Sequence, residues 1–270
     1  MINLENTTFI IPIRIEHSDR YRNAKSVLGF LNANVLTNVF IFETSANGES
    51  ALDFLSEFKN LKIKTWNIID EDAFHRTKYL NIMLDSVDTS VVVNYDIDVI
   101  LDPKNMLECQ NMIMNGTDVI FPYELGMGQF QVDGGFDHDE FRSNGHAMDI
   151  INSTSQKLLN LSECGHCIFF NTALYRGFGG ENENFISYGP EDKERMERFK
   201  RITSNLIWRP GERVYHFEHH RGSDSWITNP YFQKNWDVFN NMTALSDDAL
   251  FEYYKNPPYA DAYKNIGIKK

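Results

Sequence analysis

Cysteine is scarce in this chain of 270 residues. Cys109, Cys164 and Cys167 form an odd trio, which excludes a disulfide-stapled secreted scaffold and fits a reducing compartment, read here as the cytoplasm. Basic residues are in the minority, 26 Lys and Arg against 38 Asp and Glu, for a formal net charge of −12. That balance excludes a general attraction to nucleic acid or to an anionic membrane. Glycine and proline are also few, 16 and 8, so collagen-like and low-complexity classes fall away. No run approaches the ~18 apolar residues of a membrane span. The start, Met1-Ile2-Asn3-Leu4-Glu5-Asn6, lacks the basic residues and apolar stretch of a signal peptide. What remains is a globular chain, 42% hydrophobic, long enough for one large domain or two small ones. A phosphate-bearing ligand would have to be held locally against the acidic field, by a few placed cations, backbone amides or a bound metal ion.

Short apolar runs alternate with amphipathic stretches, the pattern of an α/β protein with a mostly parallel central sheet flanked by helices. Thr8 to Ile13, Asn38 to Glu43 and Leu61 to Ile69 read as strands. Arg20 to Leu31 has helical apolar spacing, and helices are expected after Gly48 and over about Phe74 to Val87. The run Val91-Val92-Val93-Asn94-Tyr95 leads directly into Asp96-Ile97-Asp98, and acids at the carboxyl end of a parallel strand sit where ligands collect in such sheets. From Pro122 to about Ile150 the composition turns to Gly, Asp, His and Asn, read as a long loop or lid whose 126–147 part closes over a ligand. A strand at Cys167 to Phe170, a charged helix from Pro190 to Ile202 and a strand at Val214 to Phe217 follow. The domain reading is a catalytic unit over 1–225 with a C-terminal helical extension, 226–270, packed on it.

Four constellations offer chemistry. Asp96 and Asp98 are spaced to share a divalent cation on an extended strand end, or else form a solvated turn. His216, His219 and His220 crowd five positions; neutral imidazole suits a borderline metal such as manganese, and a polar loop with incidental histidines is the alternative. Glu191 and Asp192 follow a Gly-rich approach and an aromatic, as a general base at a cleft lip or as helix caps. Phe74-His75-Arg76-Thr77-Lys78 opens a helix with an aromatic and two cations fit for a base ring and a phosphate, unless it is simply an exposed helix start; Arg14 is similarly placed after the first strand. Cys164-Gly165-His166-Cys167 reads as a buried pair of small residues rather than a zinc site, because no second pair exists. Asp137-His138-Asp139-Glu140 reads as a solvated loop.

Taken in order, Ile10-Ile11-Pro12-Ile13-Arg14, Phe74-His75-Arg76-Thr77-Lys78, Asp96-Ile97-Asp98, Ser187-Tyr188-Gly189-Pro190-Glu191-Asp192 and His216-Phe217-Glu218-His219 resemble the GT-A glycosyltransferases of the β-1,4-galactosyltransferase type. The likeness extends to the galactosyltransferase-like part of chondroitin-polymerising and polypeptide N-acetylgalactosaminyl transferases, and it spans about residues 8 to 221. The resemblance implies that Pro12, Ile13 and Arg14 contact the nucleotide, that Phe74 lies against uracil, and that Arg76 and Lys78 serve the nucleotide. It implies Asp98 and His219 as metal ligands, with His216 as companion where the galactosyltransferases have methionine, and Asp96 near ribose and metal. Tyr188 and Gly189 fall in the acceptor motif, Asp192 matches the catalytic base and Glu191 orients the acceptor. Tyr188 and Pro190 depart from the family's Trp-Gly-Gly-Glu-Asp, and Pro190 removes a backbone N–H.

The activity so implied is transfer of a hexose or N-acetylhexosamine from a UDP-sugar to a hydroxyl of a glycan or lipid-linked glycan acceptor, with inversion, in polysaccharide or glycoconjugate synthesis. The cofactor is Mn2+ or Mg2+. The competing readings are a retaining N-acetylgalactosaminyltransferase-like enzyme, a nucleotidyltransferase and a non-catalytic sugar-binding module. Lys264, Lys269 and Lys270 make a faintly basic tail that suits weak peripheral contact with a membrane.

Overall fold

The computed structural model describes residues 1–159, 164–222 and 226–259. The first half is a run of strand and helix alternation: β1 (Ile2–Ile13), α1 (Ser18–Asn34), β2 (Val35–Ser45), β3 (Leu61–Ile69), α2 (Arg76–Leu84), β4 (Val91–Tyr95), β5 (Val99–Leu101), α3 (Pro103–Met114) and β6 (Val119–Phe121). The second half is more broken. It holds β7 (Gln129–Val132), α4 (His138–Ser143), α5 (Met148–Ser153), β8 (Gln156–Leu158), β9 (Cys167–Asn171), α6 (Thr172–Gly177), α7 (Glu191–Ile202), β10 (Leu206–Trp208), β11 (Val214–His216), α8 (Phe232–Thr243) and α9 (Asp247–Lys255). None of the described helices is long and apolar enough to cross a membrane.

Seven strands form the main sheet in the order β10-β6-β9-β4-β1-β2-β3. The β4-β1-β2-β3 half and the β10-β6 pair are parallel, and only β9 runs against its neighbours. Parallel strands covered on both faces read as continuous apolar runs; all five residues of β4 are buried, as are the last seven of β1. Because β1 and β4 are parallel neighbours, Arg14 and Asp96 leave the sheet at the same edge. β9 is antiparallel to β4 with Cys167 opposite Tyr95, so its beginning reaches that edge too, and the Asp96 amide donates to the His166 carbonyl at 3.0 Å.

A second sheet, in the order β5-β11-β7-β8, was not anticipated from the sequence. It lies where the lid was expected. Gln129–Val132 is a strand parallel to β11; Phe141 is fully buried, and Asp137 caps α4 by accepting from the amides of Asp139 and Glu140. Apolar anchors at Val132, Phe136 and Phe141 override the loop-like composition between them. Residues 126–147 are therefore a packed part of the body, not a free lid, and the 137–140 acids cap a helix. Buried His138, bonded to Ser26 at 2.9 Å, has its pKa lowered to about 4 by burial. The helix expected after Gly48 is a single 3₁₀ turn, Leu55–Glu57; Glu43 takes the Ser50 hydroxyl and the Ala51 amide instead.

α2 is fastened to the segment ahead of α7. Thr77 Oγ1 donates to the Phe185 carbonyl at 2.9 Å, Asn81 Nδ2 donates to the Glu181 carbonyl and to Glu183 Oε1, and the Ser187 amide donates to the Phe74 carbonyl. Gly179 and Gly180 make this turn possible with φ of 78° and 58°, values that other residues rarely adopt. In turn α8 docks on residues 186–189: Asn235 Nδ2 donates to the Ile186 and Tyr188 carbonyls at 2.7 and 3.1 Å, and its Oδ1 accepts from the Ile186 amide. The lysines expected at the tail lie outside the described residues.

A Cβ on Gly189 would stand 2.7 Å from Asn235 Cβ. Gly189→Ala is expected to cost about 1–3 kcal/mol by overpacking this contact. The urea midpoint checks it, and an unchanged midpoint contradicts the docking described.

Candidate functional site

The register of the second sheet builds the first part of the site. β11 pairs antiparallel with β5, His216 opposite Val99, and the Phe217 amide donates to the Asp98 carbonyl at 2.8 Å. His216 Nε2 consequently lies 3.6 Å from Asp98 Oδ1, and His219 Nε2 lies 3.2 Å from Asp98 Oδ2. The three side chains offer ligand atoms all within 4.8 Å of one another. Ligands ~2.1 Å from a shared ion stand about 3 Å apart when adjacent, so the spacing fits a divalent cation.

The protons fit as well. His219 Nδ1 bonds the His220 carbonyl at 2.8 Å, and a carbonyl only accepts, so Nδ1 carries the proton. His216 Nδ1 is paired with Gln131 Oε1 at 2.9 Å, which assigns its proton in the same way. Both Nε2 atoms face Asp98, the arrangement in which an outer acceptor orients a metal-binding imidazole. Burial, with His166 and His219 adding to it, pushes His216 well below its ordinary pKa and keeps it neutral. His220 takes no part: its amide donates to Asp19 and its ring packs on His17. Cys164 and Cys167 are buried and lie outside this trio.

Asp96 goes elsewhere. Its Oδ1 accepts from Arg76 Nη2 at 2.7 Å, and Arg76 Nη1 stands 3.7 Å from Asp192 Oδ1. Asp192 Oδ1 also accepts from Arg195 Nη2 at 2.8 Å, while Arg195 grips both oxygens of Glu181 at 2.6 and 3.0 Å. Glu181 further accepts from Asn94 Nδ2 at 2.9 Å and from the Tyr175 hydroxyl. The chain Glu181–Arg195–Asp192–Arg76–Asp96 thus joins the start of α7 to the end of β4. Arg195 and Glu181 are each 1% exposed. Burial opposes charge on both, and their pairing overcomes it, lowering the Glu181 pKa and raising that of Arg195.

Glu191 behaves differently from its neighbour. Its Oε2 is enclosed without a hydrogen-bond partner among the described residues, and burial plus the adjacent Asp192 push its pKa up to about 8. It is the protonated member of the pair near neutral pH.

These groups surround one cleft of about 570 Å³, in the range of small-molecule sites. Pro12, Ile13, Arg14, Phe74, Arg76, Asp96, Asp98, Tyr188, Gly189, Glu191, Asp192, His216 and His219 all line it. Arg14 is held by Thr44 Oγ1 and the Asp70 and Asp72 carbonyls, with its guanidinium 5.5 Å from the Phe74 ring. Lys78 is not a cleft residue; its charge acts on Glu183. Pro190 is buried as the residue before α7, and its carbonyl accepts from the Glu194 amide. His166 and Ser187, non-glycine residues with φ of 71° and 61°, both sit on the wall, and such strain collects at functional sites. Sequence reasoning missed Gln131, Glu181 and Arg195. The i, i+3 spacing of Asp192 and Arg195 was the one local signal for the last.

No protein-family model and no curated protein matches the sequence. Among solved structures, residues 1–349 of S. aureus TarS in complex with UDP-GlcNAc align with TM-score 0.59 at 14% identity, over 96% of this chain and 74% of that one. GalNAc-T7 with UDP, GalNAc and Mn2+ aligns with TM-score 0.52 at 13% identity, over 96% and 58%. The catalytic domain of Drosophila β1,4-galactosyltransferase 7 with xylobiose reaches 0.49 at 10% identity, over 82% and 72%, too loose to carry an argument. The fold is that of the GT-A glycosyltransferases.

Two expectations follow. Arg195→Met leaves Glu181 buried and unpaired, which should cost about 3–5 kcal/mol in urea unfolding. Combining it with Glu181→Gln should recover a large part, and a neutral single variant would contradict the network. Glu191 binds its proton more tightly folded than unfolded, where its ordinary value is 4.5. The stability it contributes is full below that pH and is lost as pH rises through about 8. Glu183, raised to about 7 by burial, acts in the same direction. The urea midpoint should therefore fall between pH 5 and 8.5, less so in Glu191→Gln; an identical pH profile in that variant would remove the assignment.

Proposed function

We propose that this protein is a metal-dependent glycosyltransferase that moves a hexose or N-acetylhexosamine from a UDP-sugar to a hydroxyl of a glycan acceptor, with inversion. The observation that carries the reading is the meeting, in one cleft of a GT-A fold, of the Asp98–His216–His219 trio with the Glu191–Asp192 pair, Arg76 between them. The ligands bound in the solved neighbours agree in kind: UDP-GlcNAc in TarS, and UDP, GalNAc and Mn2+ in GalNAc-T7.

Asp98, His216 and His219 would hold Mn2+ or Mg2+, with Asp96 turned instead to Arg76. A divalent cation there supplies charge neutralisation for the leaving diphosphate. Arg76 Nη1 has no hydrogen-bond acceptor among the described residues and is a donor for a phosphate oxygen. Phe74, fixed by Arg14, offers its face to the uracil, and Pro12 and Ile13 close that side. At the other end Asp192 takes the proton of the acceptor hydroxyl as the new C–O bond forms and the anomeric carbon–phosphate oxygen bond breaks, the electron pair leaving with UDP. Arg76 and Arg195 both reach Asp192 through Oδ1, which fixes the carboxylate's orientation. Glu191, protonated near neutral pH, orients the acceptor by hydrogen bonding.

A panel of UDP-sugars with Mn2+ tests the donor side. The true donor at 100 Kd should raise stability by about 2.7 kcal/mol, and EDTA or Asp98→Ala should abolish that gain. Asp192→Asn should lower transfer by at least about 100-fold. Metal-indifferent protection, or full transfer by Asp192→Asn, overturns the reading. Release of pyrophosphate instead of UDP would identify a nucleotidyltransferase, and retained anomeric configuration in the product would remove the inverting step.

A further inference from the structure

α8 is attached near its start by polar contacts, and while Met242 packs on the Leu250–Tyr254–Tyr259 cluster, the apolar side chains of its first turns are only partly covered. Its one fully buried residue is Asn235, which is spent on the backbone of Ile186 and Tyr188, while Asn229 Nδ2 adds a second bond to the Tyr188 carbonyl at 2.9 Å. An amphipathic surface helix ordinarily buries its apolar stripe. Here Phe232 and Trp236 stay partly exposed and, with Trp226 at 47% exposure, line the cleft beside Tyr188.

The four rings form a continuous row. Tyr188 is parallel to Phe232 (7°, centroids 6.1 Å apart) and close to parallel with Trp226 (29°, 6.5 Å), and Trp236 follows Phe232 at 6.3 Å. Lys193 lies 5.6 Å from the Trp236 ring and Arg221 5.7 Å from that of Trp226, which restrains both indoles. The row is longer than one pyranose, and it begins four residues before Asp192. The C–H faces of pyranoses pack on aromatic faces, and the nucleotide of the donor already has its place at Phe74 and Arg76 in the reading above.

We propose that this row is an extended acceptor subsite: the sugar that receives the transfer stacks on Tyr188, further sugars of the same chain lie along Phe232 and Trp236, and Trp226 flanks the receiving sugar on the other side of Tyr188. The ligand class is an oligosaccharide of two or more rings. The proposal rests on the glycosyltransferase reading above and adds the length of its acceptor.

The protein carries four tryptophans, so their indole N–H signals in a ¹H–¹⁵N spectrum can each be followed. The probes are xylo-, gluco-, galacto- and N-acetylglucosamine oligosaccharides of one to six residues, added with UDP and Mn2+ present. One series is expected to shift the signals of Trp226 and Trp236 and spare Trp66 and Trp208, with affinity rising at least 10-fold from one ring to three. Phe232→Ala and Trp236→Ala should each weaken the trisaccharide about 10-fold while UDP with Mn2+ binds as before, which also shows that the variants are folded. The inference is overturned if no series moves these two signals, if one ring binds as tightly as three, or if neither variant weakens binding. Should UDP and Mn2+ still bind in that case, the donor reading survives alone; should they fail to bind the unaltered protein, both fall together.

Discussion

A guanidinium shared between two carboxylates underlies the arrangement of this cleft. Arg195, 1% exposed, is gripped by Glu181 and reaches Asp192, and through Arg76 the pairing continues to Asp96. Charges so deep in the fold are tolerated only when each is matched, because desolvation would otherwise neutralise or expel them. The matching ties three distant stretches together: the end of β4, the start of α2 and the first turn of α7. It also explains how a chain of net charge −12 concentrates acids around one cleft without bursting it. Three of the acids are balanced by Arg195, which is buried, and Arg76, which is partly so, and burial raises the pKa of Glu191.

The second sheet supplies what the ion-pair chain does not. β11 is fixed on one side by β5 and on the other by β7, so His216 is held by backbone register, and Gln131 on β7 sets its tautomer. Asp98 sits between the sheets, at the turn from β4 to β5. The trio is therefore positioned by strand pairing rather than by loop conformation, which suits a site whose ligands must hold their spacing.

Much of this was legible in the chain itself. β-branched runs marked β1, β2, β3 and β4, and the acids after β4 fall at the carboxyl edge as the topology rule requires. The spacing of His216 and His219 pointed to a shared partner. Three features were not readable, for physical reasons. Residues 126–147 look like a loop because Gly, Asp and His dominate locally, and only Val132, Phe136 and Phe141, packed on distant elements, make them structure. α7 reads as a charged helix, yet Arg195 and Arg198 are buried because Glu181 and the Phe178 and Gly180 carbonyls meet them from the segment ahead of the helix, with Glu194 pairing Arg198 one turn away. Asp96 reads as a partner of Asp98 on one strand face, but β4 ends at Tyr95 and the turn sends the two carboxylates to different cations or ligands. Each miss is a long-range contact that overrides local composition.

The charge balance that leaves a phosphate-bearing ligand to be held locally makes the cation at Asp98 central to the account. Electron-spin-echo spectroscopy of Mn2+ bound to the protein together with UDP tests this most directly. The account predicts one bound Mn2+ per chain with nitrogen couplings from two imidazoles, one lost in His216→Ala and the other in His219→Ala. Mn2+ that binds only through the nucleotide, with no imidazole coupling, would contradict it.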